Sequence, residues 1–157
     1  MDAYLPYLLA LGIGFIAGLR AMTAPAAVAW GAWLGWFSLA GTAMAFMGSI
    51  IAVIIFSLLA FFELITDQLP STPSRKVPVQ FIARLIMGGL SGAAVGAVFG
   101  VTLAGMACGV AGAVLGTYIG AAFRAALAKA FRKDLPAALI EDVIALGGAF
   151  LIVHHHL

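Results

Sequence analysis

Apolar residues along this chain come in long runs, without the strict alternation of a half-buried strand. The runs extend from Tyr4 to Phe37, Met44 to Thr66, Val77 to Gly100, Leu103 to Ala128 and Pro136 to Val153, separated by short breaks that carry polar residues or glycine. Four of them have the length of a single membrane helix, about 20 residues. The first is too long: as one helix, residues 4 to 37 would reach about 50 Å, against a hydrocarbon core of about 30 Å. Gly18 and Arg20 interrupt it, Thr23 is a candidate N-cap, and Pro25 suits the first turn of a new helix. The pattern therefore predicts a break over Ala21 to Ala24.

These segments predict an all-α fold, a polytopic transmembrane helical bundle forming one domain over residues 1–157. Six hydrophobic helices result if the first run is a short broken hairpin. The alternative is five crossings with a discontinuous first helix. Charge favours the hairpin. Arg75 and Lys76 follow its third helix, and Lys129, Arg132 and Lys133 follow its fifth, so both groups fall on one side, which the positive-inside rule makes cytoplasmic. Arg20 then lies at a cytoplasmic turn, both ends of the chain lie outside, and Trp30, Trp33 and Trp36 with Phe37 approach the outer interface, where aromatic belts occur.

Composition agrees. Hydrophobic residues make up 64% of the 157 and charged residues 9%, more apolar surface than one soluble core could hide. The net charge of +2 comes from few basic residues, placed mainly between the apolar runs, so it speaks to orientation and carries no nucleic-acid signal. Cys108 is the only cysteine, which excludes an intrachain disulfide. The amino-terminal "MDAYLPY" has no basic region, so the first run is expected to be a membrane segment rather than a removable signal. The terminal "HHHL" carries no functional weight.

Two further patterns concern packing. Gly88, Gly92, Gly96 and Gly100 recur every four residues, as do Gly105 with Gly109 and then Gly112, Gly116 and Gly120; Gly14 and Gly18 repeat the spacing in the first helix. Such small-residue faces let membrane helices approach closely. In addition, "LGIGFIAGLRA" (11–21) aligns with "LGTYIGAAFRA" (115–125), and a "PAA" follows each at Pro25 and Pro136, which suggests an internal repeat of an Arg-ended helix and a Pro-started one.

The candidate chemistry is a set of charges inside or beside these apolar runs. Glu63 and Asp67 are spaced i, i+4 and so share one helix face, with Thr66 and Gln68 beside the second carboxylate. Arg84 lies early in the fourth helix, Arg124 late in the fifth, and Glu141 and Asp142 early in the sixth. With Arg20 these are three arginines and four carboxylates on the expected cytoplasmic side. An isolated charge in hydrocarbon costs about 2.5–3.5 kcal/mol on insertion scales, so pairing or a wet cavity is expected. The acidic face could hold a cation or pass a proton; equally, the arginines could neutralise the acids and fix helix register. The loop "PSTPSR" offers hydroxyls beside Arg75 that suit anionic headgroups, but it lacks the Gly-x4-Gly-Lys of a P-loop. No HExxH, no GxSxG and no nucleophile with a base is present, the three histidines lie at the extreme end, and no cofactor site is recognisable. A non-enzyme is expected, and the sequence does not indicate which metal, if any, would bind.

"GLRAMTAPA", "ELITDQLPSTPSR", "ARLIMGGLSGAAVG" and "LIEDVIALGGAFLIV" together resemble a family of small bacterial membrane proteins catalogued as domain of unknown function 4126. The resemblance implies a compact helical inner-membrane protein and brings no established activity. The expectation is thus a multi-pass protein of the bacterial inner membrane, surrounded by lipid, that forms a pathway for an ion or small solute and can assemble as a homo-oligomer. Glu63, Asp67, Glu141 and Asp142 would bind the cation or proton, and Arg20, Arg84 and Arg124 would balance charge. A structural or accessory membrane protein held by a charge network is the competing reading, and a lipid-modifying membrane enzyme a third.

Overall fold

A computed structural model describes residues 3–66, 78–132 and 134–157. Six α-helices follow one another: α1 (Leu5–Leu19), α2 (Thr23–Leu34), α3 (Ile50–Thr66), α4 (Pro78–Val98), α5 (Thr102–Phe131) and α6 (Asp134–Leu151), the last continuing into a π-helical turn, Ile152–His156. No strand occurs among the described residues. Three spans, Pro78–Val98, Thr102–Phe131 and Pro136–His154, are long and apolar enough to cross a membrane. Large apolar side chains such as Ile51, Phe61, Phe62, Ile86, Leu103 and Val143 face outward. That is the surface of a membrane protein, whose solvent is lipid.

The predicted break is present, and α1 and α2 form a hairpin. Gly12 lies against Ile152 and Gly148 against Ile16, so α1 runs antiparallel to α6. At the other end of α2, Gly31 packs on Val153 and Trp36 meets Phe150 and His154, so α2 has returned to the end at which α1 began. The α1 helix has 15 residues and α2 has 12, about 22 Å and 18 Å. Neither would cross about 30 Å of hydrocarbon alone.

The boundaries differ from expectation in two places. Thr23 is not the N-cap of α2: the helix starts at Thr23, its N-cap residue is Met22, and no side chain of the flanking sequence caps it. A side chain from another helix takes that role, as shown below. The run beginning at Met44 is not helical throughout. Residues Ala45–Gly48 form a 3-10 turn, and Ser49 then starts α3, its Oγ accepting from the Ala52 amide at 3.1 Å.

Glycine holds the centre together. In lipid, apolar burial gives little drive for helix association, so packing depends on how closely backbones approach. A methyl group on Gly109 would overlap the carbonyl oxygen of Gly88, and one on Gly92 the carbonyl oxygen of Gly105. These contacts join α4 to α5. One on Gly112 would overlap the Leu11 carbonyl and one on Gly116 the Phe15 carbonyl, which joins α5 to α1. The glycine periodicity therefore encodes a tight three-helix core of α1, α4 and α5, against which α2 and α6 are arranged, with α3 packed on α2. Thr117 of α5 reaches the level of Gly18, the last glycine of α1. From there α5 continues 14 residues to Phe131, about 21 Å beyond the hairpin turn.

Candidate functional site

The hairpin turn creates a problem in backbone chemistry. A helix end leaves amides or carbonyls without partners, and in hydrocarbon each unmet group costs several kcal/mol. The break at Arg20, whose backbone is extended (φ −141°, ψ 106°), leaves two such ends side by side, the C-terminus of α1 and the N-terminus of α2.

Neighbouring helices supply the partners. Both oxygens of the Glu63 carboxylate, on α3, accept at 2.7 Å from the amides of Ala21 and Met22, the groups just ahead of α2. A negative charge also suits the positive end of a helix dipole. Arg84, on α4, does the converse for α1. Its Nη1 donates to the Gly18 carbonyl at 2.8 Å, and its Nη2 stands 4.0 Å from Glu63 Oε1. Arg20, within the break, donates from Nη2 to Asp142 Oδ1 of α6. Glu141 precedes Asp142 and is 1% exposed.

Arg20, Glu63, Arg84 and Asp142 are thereby gathered around one turn of backbone, and Glu141 is buried next to Asp142 in the sequence of α6. Arg20 is 0% exposed, Arg84 3% and Asp142 8%. Glu63 is the more open carboxylate, with its side chain 13% accessible against 11% for that of Asp142. It also sits in the last turn of α3, near the helix end. Chemically the layer offers charge-assisted hydrogen bonds, each about 1.5–3 kcal/mol, in a medium of low dielectric.

The backbone of Arg124 lies further along its helix. This half-buried residue of α5 is seven residues past Thr117, about 10 Å beyond the turn. Asp67, Arg75 and the "PSTPSR" loop lie outside the described residues. Among the described residues, no group of three or more His, Cys, Asp and Glu is placed to hold a metal ion.

Sequence reasoning did not anticipate a groove of about 460 Å³ between α2, α3 and α6. Its walls are apolar, formed by residues such as Ala27, Phe61, Leu146 and Phe150, with the Thr23 and Ser57 hydroxyls as exceptions. Trp30 Nε1 donates to Ser57 Oγ at 2.8 Å across it. The groove ends against Thr23 and Leu64, the immediate neighbours of Met22 and Glu63. An indole and a hydroxyl 27 positions apart carry no spacing signal, which is why the pair escapes a linear reading.

Residues 7–157 match the model of a family described as a domain of unknown function (DUF4126). No curated protein and no solved structure matches the chain.

Proposed function

Taking as premise that the chain belongs to the family of domain of unknown function 4126, which assigns no activity, we propose that it is a membrane transporter or channel for an ion or small solute. The observation that carries this reading is the discontinuity of α1 and α2, whose free ends meet ionisable side chains from α3, α4 and α6. Membrane proteins tolerate irregular backbone at depth where it serves a binding site, and broken helices with charged or dipolar ends are the usual form of such sites in secondary transporters. The remaining parts of the proposal follow from it. Lys129 and Arg132 lie at the end of the bundle to which the turn points, so that end faces the cytoplasm of a bacterium whose inner membrane holds the protein. Segments α1–α2 and α5–α6 run in matching directions and each turns at that end, as a duplicated two-helix unit would. Assembly as a homo-oligomer belongs to the same proposal.

The test uses purified protein in proteoliposomes, with ion-sensitive dyes reporting proton, sodium and potassium flux. Flux above that of empty vesicles, abolished by Glu63→Gln or Asp67→Asn in protein that remains folded, supports the reading. Vesicles without flux for any of the three ions, or flux untouched by both substitutions, count against it.

A second reading has an observation of its own. The two arginines of the turn are buried and directed at Asp142, Gly18 and Glu63, as in a network whose work is to hold the bundle. As an accessory or structural membrane protein, the chain would lose detergent stability on neutralising Arg84 or Glu141 singly, and would show no flux.

A further inference from the structure

We propose that the groove between α2, α3 and α6 is a lipid site. It holds one acyl chain of a phospholipid from the leaflet on the Trp36 side, with the methyl end at the hairpin turn and the headgroup at the aromatic rim. The site does not depend on solute movement.

The groove originates in the sequence of α3. The α1, α4 and α5 helices close on one another through glycines, whereas α3 has no glycine from Ile50 to Thr66 and carries Phe56, Phe61 and Phe62 instead. It cannot approach a neighbour as closely. Both α3 and α6 pack on α2, and the groove is the space left between them. An empty gap forfeits dispersion contacts along every wall, so a filled groove is the more stable one.

Shape and chemistry select the occupant. The lining runs from Thr23 to Leu34, the whole of α2, which is about 18 Å and close to one leaflet's share of a hydrocarbon core of about 30 Å. A helix from a second copy or another protein, at a diameter of about 10 Å, would need about 1,400 Å³ over that length. The groove has about 460 Å³, the size of a small-ligand pocket. Its walls give a polar solute little to bind. The Trp30 indole and the Ser57 hydroxyl satisfy each other at 2.8 Å, and the Thr23 hydroxyl is the exception at the inner end.

The two ends differ as an amphiphile requires. Thr23 and Leu64 lie beside the hairpin turn, and α5 continues about 21 Å past that level, so this end is deep in the bilayer. At the other end Trp36 meets Phe150 edge-on with ring centroids 5.8 Å apart and His154 at 4.6 Å, and the exposed Ser38 follows. Amphipathic rings of this kind sit at headgroup level.

The test strips away bulk lipid. Full-length protein is extracted from phospholipid membranes, washed in detergent and weighed intact by native mass spectrometry; one phospholipid per polypeptide should remain. Ala27→Phe places a ring in the groove, and the lipid-bound fraction at limiting phospholipid should fall about tenfold, equivalent to about 1.4 kcal/mol. Val143→Phe adds the same ring to an exposed position of α6 outside the groove and should keep the lipid. A phospholipid with a photoreactive diazirine at the acyl terminus should label the native protein near Thr23 and Leu64, and one with the diazirine beside the ester near Trp36 and Phe150. If Ala27→Phe does not fold, this labelling decides. Native protein without phospholipid, detergent alone in the groove, undiminished binding in folded Ala27→Phe, a reversed labelling order or a second copy crosslinked through the groove each overturns the site.

Discussion

The guanidinium of Arg84 lies between the two halves of a broken helix pair, 2.8 Å from the Gly18 carbonyl at the end of α1 and 4.0 Å from the Glu63 carboxylate that caps the start of α2. One side chain thus bears on both ends of the break. The positive charge meets the negative end of the α1 dipole, and through Glu63 the positive end of α2 is answered in turn.

Removing Arg84 should therefore cost more than one hydrogen bond. Arg84→Leu removes the guanidinium donor of the Gly18 carbonyl and the cation beside the half-buried Glu63 carboxylate, and the expected loss is about 3 kcal/mol or more, above the about 1.5–3 kcal/mol of one charge-assisted hydrogen bond. Arg84→Lys keeps the charge without the fork and should lie between the two. Thermal unfolding in detergent checks the order; a neutral Arg84→Leu would show that the cap contributes nothing.

Arg20 and Asp142 should behave as a unit. Arg20→Met and Asp142→Leu each strand a charge in a site with almost no exposure, whereas the double substitution removes both. The double variant should be more stable than the sum of the single effects implies, with a coupling of about 0.5–3 kcal/mol in a double-mutant cycle.

The glycines separate into two classes that sequence alone treats alike. A methyl on Gly109 meets backbone of α4, so Gly109→Ala must push helices apart and should destabilise by about 1–3 kcal/mol or more. Gly147 has nothing within 4 Å of that position, so Gly147→Ala should be neutral or stabilise by up to about 1 kcal/mol through helix propensity. Detergent melts of the two variants should diverge in sign or nearly so.

That contrast also measures how legible the chain was. The six helices, the break near Arg20 and the close α1, α4 and α5 faces follow from hydrophobic run length and from glycine spacing, both local properties. The N-cap expected at Thr23 failed because the real cap, Glu63, lies 40 positions away on another helix and acts on backbone amides, which no side-chain pattern records. Gathering of Arg20, Glu63, Arg84 and Asp142 was readable from the cost of bare charge in lipid. The backbone position of Arg124 along α5 was not, because α5 runs on past the turn and the length of one helix says nothing of where its neighbour stops.

The fold and the charged turn both require α1 and α2 to be a hairpin that turns inside the bundle at these charges. In a Cys108→Ala background, single cysteines at Tyr4, Ser38 and Lys129, all exposed, can be tested with a membrane-impermeant thiol reagent in oriented vesicles. The hairpin predicts that positions 4 and 38 label from one side and position 129 from the other. Labelling of positions 4 and 38 from opposite sides would mean a single crossing, and would contradict it.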